Sequence, residues 1–559
     1  MQRLDISDRG RSLQAMHPEN VPAPQNRWNR TALAIAVILL ITAAVRVPLL
    51  SLPFERDEGE YAYLAWRMEQ HELPYRDWVD QKPPGVFWVY RLALALPMDP
   101  VVSVHFLAMI FAGASAVALF LLASRWLNRF WATGAAILWA VLSADPWMEG
   151  TAANTEIFMV LPVILSQIAL LTAAAETRNR IFLMVLAGAL TGIAAAFKQV
   201  AILNWICLVA LYPIFAVDRK RWMGTFFFVL WSGLGMAAVA GGIAFYFWCR
   251  HGLAELVGNV LTHNLEYIST IPWVTRWQLC GDTLVHLARS QALIWVFSIA
   301  GFAALAAKRR LQWLLFLGVW TATGLAGVSA SGYFFPHYFQ QLLPCLALAA
   351  AAGAEAVESL HFGKALWFRR LLSVLLLACL PAVTLYPFLF EYSPKQAVTK
   401  IYPKSCFAEM PEAGQRIARA TRPEDRIFIF GAEPELFFYA RRASATRYIF
   451  LFPLYGPYRN AHDEQVRTAK EIFQAEPRAA LYLPDSLMLS PDTDQYFTHW
   501  SQVYLQSNFG VDAWLGMDNA GVAHLDPFAG TQEASVPADQ HMVGAVMLRT
   551  TAGPGVQPP

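Results

Sequence analysis

The sequence predicts an all-α polytopic membrane domain of about eleven transmembrane helices with a C-terminal soluble α/β domain, and three observations carry that prediction. Of the 559 residues, 56% are hydrophobic and only 15% charged, too apolar a balance for a string of soluble domains. Apolar segments of about 20 residues, the length that crosses a bilayer, recur from Thr31 to Phe390 with few charges at their centres. After Glu391 that pattern stops, and short apolar runs alternate with segments of helical period.

The spans fall near residues 31–51, 101–124, 131–145, 155–175, 181–197, 199–217, 223–248, 291–307, 311–330, 338–357 and 371–390. Lys and Arg collect in alternate short connections: Arg125 and Arg129, Arg178 and Arg180, Arg219 to Arg221, Lys308 to Arg310, then Lys364, Arg369 and Arg370. The positive-inside bias makes those connections cytoplasmic. With residues 1–30 also inside, an odd number of spans carries the C-terminal region across. The expected protein is multi-pass in the cell inner membrane, its N-terminus cytoplasmic and its C-terminal domain periplasmic.

Four segments then share the outer face: the acidic loop 52–100, the turn DPWMEGTAANTE, the connection from Cys249 to Ser290, and SGYFFPHYF. The polar stretch of about thirty residues before the first span, with no small-residue cleavage site after it, reads as an anchor's leader and not as a signal peptide. The net charge of +2, its basic residues in inside loops, offers no nucleic-acid footprint. Cys280 and Cys406 both fall on the outer side, which leaves a bridge between them open.

The domain plan is a cytoplasmic segment 1–30, a membrane domain 31–392, a periplasmic α/β domain 393–530 and a loosely ordered tail 531–559. In the α/β region RIFIF, TRYIFLF, RAALYLP and SQVYL read as short buried strands. GAEPELFFYA and AHDEQVRTAKEIFQAE read as helices, the second with an apolar stripe through Val466, Ala469, Ile472 and Phe473.

The chemistry-bearing residues lie at the outer rim. In FERDEGEYAY, four acids follow directly on the first span. Asp57 and Glu58 either favour a helix N-terminus or form a reacting acid site, while Glu55, Arg56 and Glu60 are free to be solvated or paired. Tyr61, Leu64, Ala65 and Met68 have the spacing of an amphipathic helix lying on the membrane interface. Gln81, Lys82, Pro83, Pro84 and Gly85 form a rigid turn that fixes a lone lysine at the same depth, where it either snorkels to headgroups or holds a phosphate. Lys198 in FKQV is an isolated lysine at a span end, and so a functional candidate. Pro336 and Pro344 bracket His337 and Tyr338, a broken backbone of the kind tolerated where it lines a cavity. His263 and Glu266 share a helix face, while Asn154, Thr155 and Glu156 fit a helix start.

RDEGEYAY, DQKPPGVFW, AANTE, FKQV and FFPHYFQQLLP occur in this order over residues 31–350. There the chain resembles the bacterial members of the dolichyl-phosphate-mannose protein mannosyltransferase superfamily, including the aminoarabinose transferases of lipid A. The resemblance implies the GT-C fold and an inverting glycosyltransferase, hexosyl- or pentosyl-, with a catalytic outer loop at 52–100. It would take a sugar from a polyprenyl-phosphate donor to a cell-envelope acceptor, a protein, lipid or glycan hydroxyl, with membrane lipid as its surroundings. Asp57 then matches the catalytic carboxylate, with Glu58 beside it, and Lys82 the contact to the donor phosphate. Lys198, His337 and Tyr338 join Lys82 as phosphate-holding candidates.

Some relatives hold a divalent metal with an acid just before the loop-closing lysine and a histidine of a later outer loop. Here Gln81 stands at the first position and His263 is the candidate for the second, so the need for a divalent ion stays open. A lipid or solute transporter is the alternative reading, but its binding residues lie near the bilayer midplane and its halves often repeat. This chain has no such repeat, and its candidates sit at the rim. A non-catalytic anchor would leave Asp57, Lys82 and Lys198 without a role.

Overall fold

The computed structural model describes residues 24–175, 178–216, 221–268, 271–359, 365–455, 460–487, 493–528 and 539–550. Residues 1–23, Arg219, Lys220, Lys364 and much of the expected tail therefore lie outside the described residues. The membrane region runs α1 (Pro24–Arg46), α2 (Arg56–Glu69), α3 (Gly85–Leu94), α4 (Pro100–Ala123), α5 (Arg129–Leu142), α6 (Thr155–Ala175), α7 (Arg180–Phe197) and α8 (Leu203–Phe215). It continues with α9 (Arg221–Cys249), α10 (Leu253–Val257), α11 (His263–Ile268), α12 (Trp273–Ala307), α13 (Leu311–Ser329), α14 (Leu343–Ser359) and α15 (Leu366–Phe390).

Among the described residues, nine helices are long and apolar enough to cross a membrane, and three shorter apolar helices, Gly85–Leu94, Arg129–Leu142 and Gln199–Phe215, pack with them. Each of the expected spans falls on a helix, yet 131–145 and 199–217 fall on short ones. The 14 residues of α5 reach about 21 Å, less than a bilayer core of about 30 Å. A turn through Asp145 and Pro146 ends α5, and extended backbone at Lys198 separates α7 from the turn that leads into α8.

The connection from Cys249 to Ser290 is not the long loop expected. It folds as α10, a π-turn over Gly258–Thr262, α11 and the first half of the 35-residue α12. Nor does α2 lie half-exposed on an interface. Every residue from Glu58 to Ala65 is buried, because α2 is covered by the C-terminal region on the side away from the membrane helices. There Gly59 meets α18 (Glu435–Ala440), and a Cβ added to Gly59 would stand 2.1 Å from Glu435 Cβ. Only glycine permits that approach.

The C-terminal region opens with α16 (Pro394–Ile401) and α17 (Met410–Ala420), then runs β1 (Arg426–Phe430), α18, β2 (Ala443–Ser444), α19 (Phe452–Tyr455), α20 (Ala461–Ala475) and β3 (Ala479–Tyr482). It closes with α21 (Tyr496–Asn508), β4 (Phe509–Asp518), β5 (Ala523–Pro527) and β6 (Gln540–Arg549). The six strands make one mixed sheet in the order β2-β1-β3-β6-β4-β5. RIFIF and AALY are strands, parallel to each other.

Three local expectations fail here, two because short apolar runs do not by themselves separate strand from buried helix and the third because composition alone does not mark a strand. SQVYL lies inside α21, burying Tyr504 and Leu505 against the sheet. TRYIFLF holds no strand beyond the preceding β2, and its end enters α19. The expected tail supplies β6, which pairs with both β3 and β4 in the middle of the sheet. Cys280 and Cys406 are both free, Cys406 being buried.

Hydrogen bonds of backbone amides tie the sheet region to residues 54–79. The Ser444 amide donates to Tyr63 Oη at 2.8 Å, and the Val79 amide donates to the Arg447 carbonyl at 3.0 Å.

Candidate active site

Asp57 stands in the first turn of α2, but it is not what caps that helix. Glu55 is the N-cap: its carboxylate accepts the amides of Asp57 and Glu58 at 3.1 and 3.2 Å, and Glu58 reaches back to the Glu55 amide at 3.3 Å. This reciprocal capping box takes up the helix-start role of the acidic cluster. Glu58 is 2% exposed, and its other oxygen receives the Ala153 amide at 2.6 Å and faces His105 Nε2 at 2.7 Å. Glu58 is thus held inside the protein and off the pocket wall, against the expectation that it stands beside Asp57 as a reacting acid. Asp57 is left to project into the pocket, where it accepts from Tyr61 Oη at 3.3 Å.

Lys82 is brought to the same pocket by the Pro-Pro-Gly turn. A Cβ on Gly85 would stand 2.5 Å from the Ala196 carbonyl, so glycine alone lets this turn lie against the end of α7, two residues before Lys198. The Lys82 ammonium sits 2.7 Å from Glu60 Oε2 and 3.3 Å from Asp57 Oδ1, 4.7 Å from the centre of the Tyr61 ring. Its own amide donates to Asp80 at 2.9 Å.

On the opposite wall Lys198, in extended backbone at the end of α7, pairs with Glu156 at the start of α6. Its ammonium lies 3.3 Å from the centre of the Tyr338 ring. His337 and Tyr338 belong to a 3₁₀ turn, Pro336–Leu342, that leads into α14, and His337 Nδ1 meets Glu149 Oε2 at 2.5 Å. Asp57, Lys82, Lys198, His337 and Tyr338 therefore line one pocket, closed on a third side by Asn264.

The charges around Lys82 are unequal. Burial alone would raise Asp57, but the cations Lys82, His337 and Arg56 outweigh it and hold the carboxyl below its usual value. Burial would likewise lower Lys82, yet Asp57, Glu60 and Asp80 raise it well above the usual lysine value. Glu60 goes the other way: burial, then Asp80 beside it, push it well above the carboxylate range despite Lys82. Glu60 Oε1 and Asp80 Oδ2 are both buried without a partner among the described residues, and one proton shared between the two carboxyls would satisfy both. Asp57 and Lys82, each shifted toward its charged form, thus face a polar cavity beside a carboxyl pair shifted toward holding a proton.

With this geometry in hand, residues 81–245 match the family model described as dolichyl-phosphate-mannose-protein mannosyltransferase. No curated protein is close enough in sequence to match. Among solved structures, ArnT from Cupriavidus metallidurans in the apo state is 16% identical over 93% of this chain and 98% of that chain, with a TM-score of 0.56. The same protein bound to undecaprenyl phosphate aligns over 84% of this chain and 96% of its own, at 16% identity and a TM-score of 0.54. The archaeal oligosaccharyltransferase AglB from Archaeoglobus fulgidus, in complex with an inhibitory peptide and a dolichol-phosphate, is 12% identical over 92% of this chain and 76% of its own, at a TM-score of 0.53. The fold is that of the C-type membrane glycosyltransferases.

Within this C-type fold the donors around Gln81 do not suit a divalent ion. Gln81 offers a carboxamide, and its backbone carbonyl is taken by Gln199 Nε2 and Asn264 Nδ2, each at 2.8 Å. Asn264 is on the pocket wall and its neighbour His263 is not. Among the described residues no group of three or more His, Cys, Asp and Glu side chains is arranged to hold a metal.

Asp80 and Glu149 join the site without having been candidates, whereas Glu60, free by sequence to be solvated or paired, is paired with Lys82. Glu60 was legible, since i and i+3 share a helix face and Glu60 follows Asp57 by that interval. Glu149 and the pairing of Glu156 with Lys198 carry no sequence signal, because only the packing of α6 on α7 and the Pro336 turn creates them.

Proposed function

We propose that this chain is an integral membrane inverting glycosyltransferase that moves a sugar from a polyprenyl-phosphate donor to a hydroxyl of a cell-envelope acceptor on the periplasmic side. The observation that carries the reading is the joining of one carboxylate, Asp57, and two lysines, Lys82 and Lys198, in a single pocket at the ends of apolar helices. An isoprenoid tail needs an apolar surface between helices, and its sugar phosphate needs polar partners at their ends. The pocket borders both. A transport site would sit at mid-depth, whereas Lys198 follows the last residue of α7, and Pro336 opens the turn into α14.

The step is a single displacement. The acceptor oxygen forms a bond to the anomeric carbon as the bond from that carbon to the phosphate oxygen breaks. The electron pair leaves with the polyprenyl phosphate, and the acceptor's proton passes to Asp57 as general base. Attack opposite the leaving group inverts the anomeric configuration. Negative charge grows on the departing phosphate, so Lys82 and Lys198 stabilise the transition state more than the ground state, with Tyr338 and His337 as hydrogen-bond donors.

Asp57 is paired with Lys82 until the phosphate draws the ammonium. Glu60 then remains as the partner that holds Lys82 in place, and Asp57 turns to the acceptor. Glu58 serves the same reaction only by fixing the start of α2.

The test incubates purified protein with a panel of polyprenyl-phosphate sugars and measures release of polyprenyl phosphate, alongside movement of intact donor across proteoliposomes. Sugar release without donor flipping is the expected result. Flipping without release would make the protein a lipid transporter instead.

A further inference from the structure

We infer that Glu149 is a positioning residue that aims His337 at the leaving phosphate, an inference that rests on the glycosyl-transfer reading above. Glu149 sits outside the pocket wall, and its carboxylate meets His337 Nδ1 at 2.5 Å, with the two side chains 21% and 12% exposed. A carboxylate accepting from Nδ1–H fixes the ring plane and favours the imidazolium, the form in which Nε2 also carries a proton to offer a ligand. The ring is also held by its neighbours: it stacks on Phe335 at 5.8 Å with planes 4° apart and meets Tyr338 edge-on at 4.8 Å. His337 lines the pocket together with Lys198 and Asp57, so Nε2–H is left to the phosphate.

The backbone of Glu149 supplies a second, separate observation. Its φ is +53°, in the left-handed region, where it closes the turn Pro146–Met148. Gly or Asn adopts that conformation at lower cost than Glu. A residue held there against its preference is retained for its side chain, and among the described residues the polar contact of that side chain is His337.

The experiment compares Glu149→Asn, His337→Gln and the double variant for kcat, KM and apparent Tm with a polyprenyl-phosphate sugar that wild type uses. Glu149→Asn relieves the left-handed residue and withdraws the carboxylate, so Tm is expected to hold or rise while kcat falls on the order of 10- to 100-fold and KM changes little. Adding Glu149→Asn to His337→Gln is expected to lower kcat no further, because both act through one imidazole. Glu149→Gly is the second variant should Asn fail to fold.

A fall in Tm with kcat intact, or losses that multiply in the double variant, would overturn the inference and leave the transferase reading standing. Wild type that releases no polyprenyl phosphate from any donor would overturn both.

Discussion

Lys82 Nζ lies 3.3 Å from Asp57 Oδ1, so the proposed base and the proposed phosphate-holding cation are direct partners. The donor phosphate must enter between them. Lys82→Met removes the donor to Glu60, only 2% exposed at its side chain, and the cation beside the carboxyl pair of Glu60 and Asp80, so it is destabilising on the order of 1–3 kcal/mol. The expected outcome is a lower apparent Tm together with loss of binding of bare polyprenyl phosphate. Lys82→Arg should recover more of the stability than of the turnover, since a planar fork does not reproduce a point charge. Unchanged phosphate binding in Lys82→Met, measured by titration in detergent, would remove Lys82 from the donor site.

The same pair sets the acid limb of activity. Asp57 is held below the usual carboxylate value chiefly by Lys82, against burial. A reaction that needs its ionised form should therefore persist as pH falls past that value and fail only below it. In Lys82→Met, burial is no longer opposed by its main cation, and whatever activity survives should lose its acid limb at higher pH than wild type. A pH profile of kcat/KM that is superimposable for the two proteins would contradict this.

Gly59 is the contact point between α2 and the C-terminal region. In Gly59→Ala the new methyl would stand 2.1 Å from Glu435 Cβ, so α18 must move. Overpacking of this kind destabilises by about 1–3 kcal/mol, and the shift falls on the helix that carries Asp57. Lower Tm, faster proteolysis after α15 and reduced turnover are expected together. A Gly59→Ala protein with wild-type Tm would mean that α2 and α18 do not dock as described.

Glu435 makes that docking sensitive to pH. It is buried, and both its oxygens lack a partner among the described residues. Burial first, then Glu433, push its carboxyl well above the usual value. A raised native value means that the native state binds the proton more tightly. The stability from this site is therefore complete below the unfolded value of about 4.3 and declines as pH rises from there through the native value. Glu435→Gln should flatten that decline in a series of melting curves. A slope equal to that of wild type would remove Glu435 as its source.

Chelation is expected to leave turnover unchanged, because Gln81 and the amides clamping its carbonyl do not make a divalent site. Activity lost on adding a chelator and restored by one added ion would show that ligands other than Gln81 and His263 assemble.

The helices of the membrane region were legible from apolar runs, since residues that must shed water in a bilayer leave a long, unmistakable pattern. What the pattern did not carry is everything made by packing. The cover that buries α2 comes from Glu435, far along the chain, and no local period announces it. β6 lay in a stretch that composition marked as tail, yet the four consecutive residues from Gly544 to Met547 are buried in the middle of the sheet.

At the site, the residue types and their rim position picked out Asp57, Lys82, Lys198, His337 and Tyr338. Which acid of FERDEGEYAY meets the pocket was decided by capping geometry, because Glu55 and Glu58 satisfy each other's amides and leave Asp57 over. The pairing of Glu156 with Lys198 was hidden, because contact between helices is a property of the fold and not of spacing.

The measurement that bears most directly on the central claim is single-turnover sugar transfer by Asp57→Asn at matched folding and matched binding of bare polyprenyl phosphate. With the phosphate-holding lysines intact, donor binding should be retained while the transfer rate falls about 10²- to 10⁴-fold, the range for loss of a general base. A full transfer rate in Asp57→Asn, with donor bound as in wild type, would contradict the account.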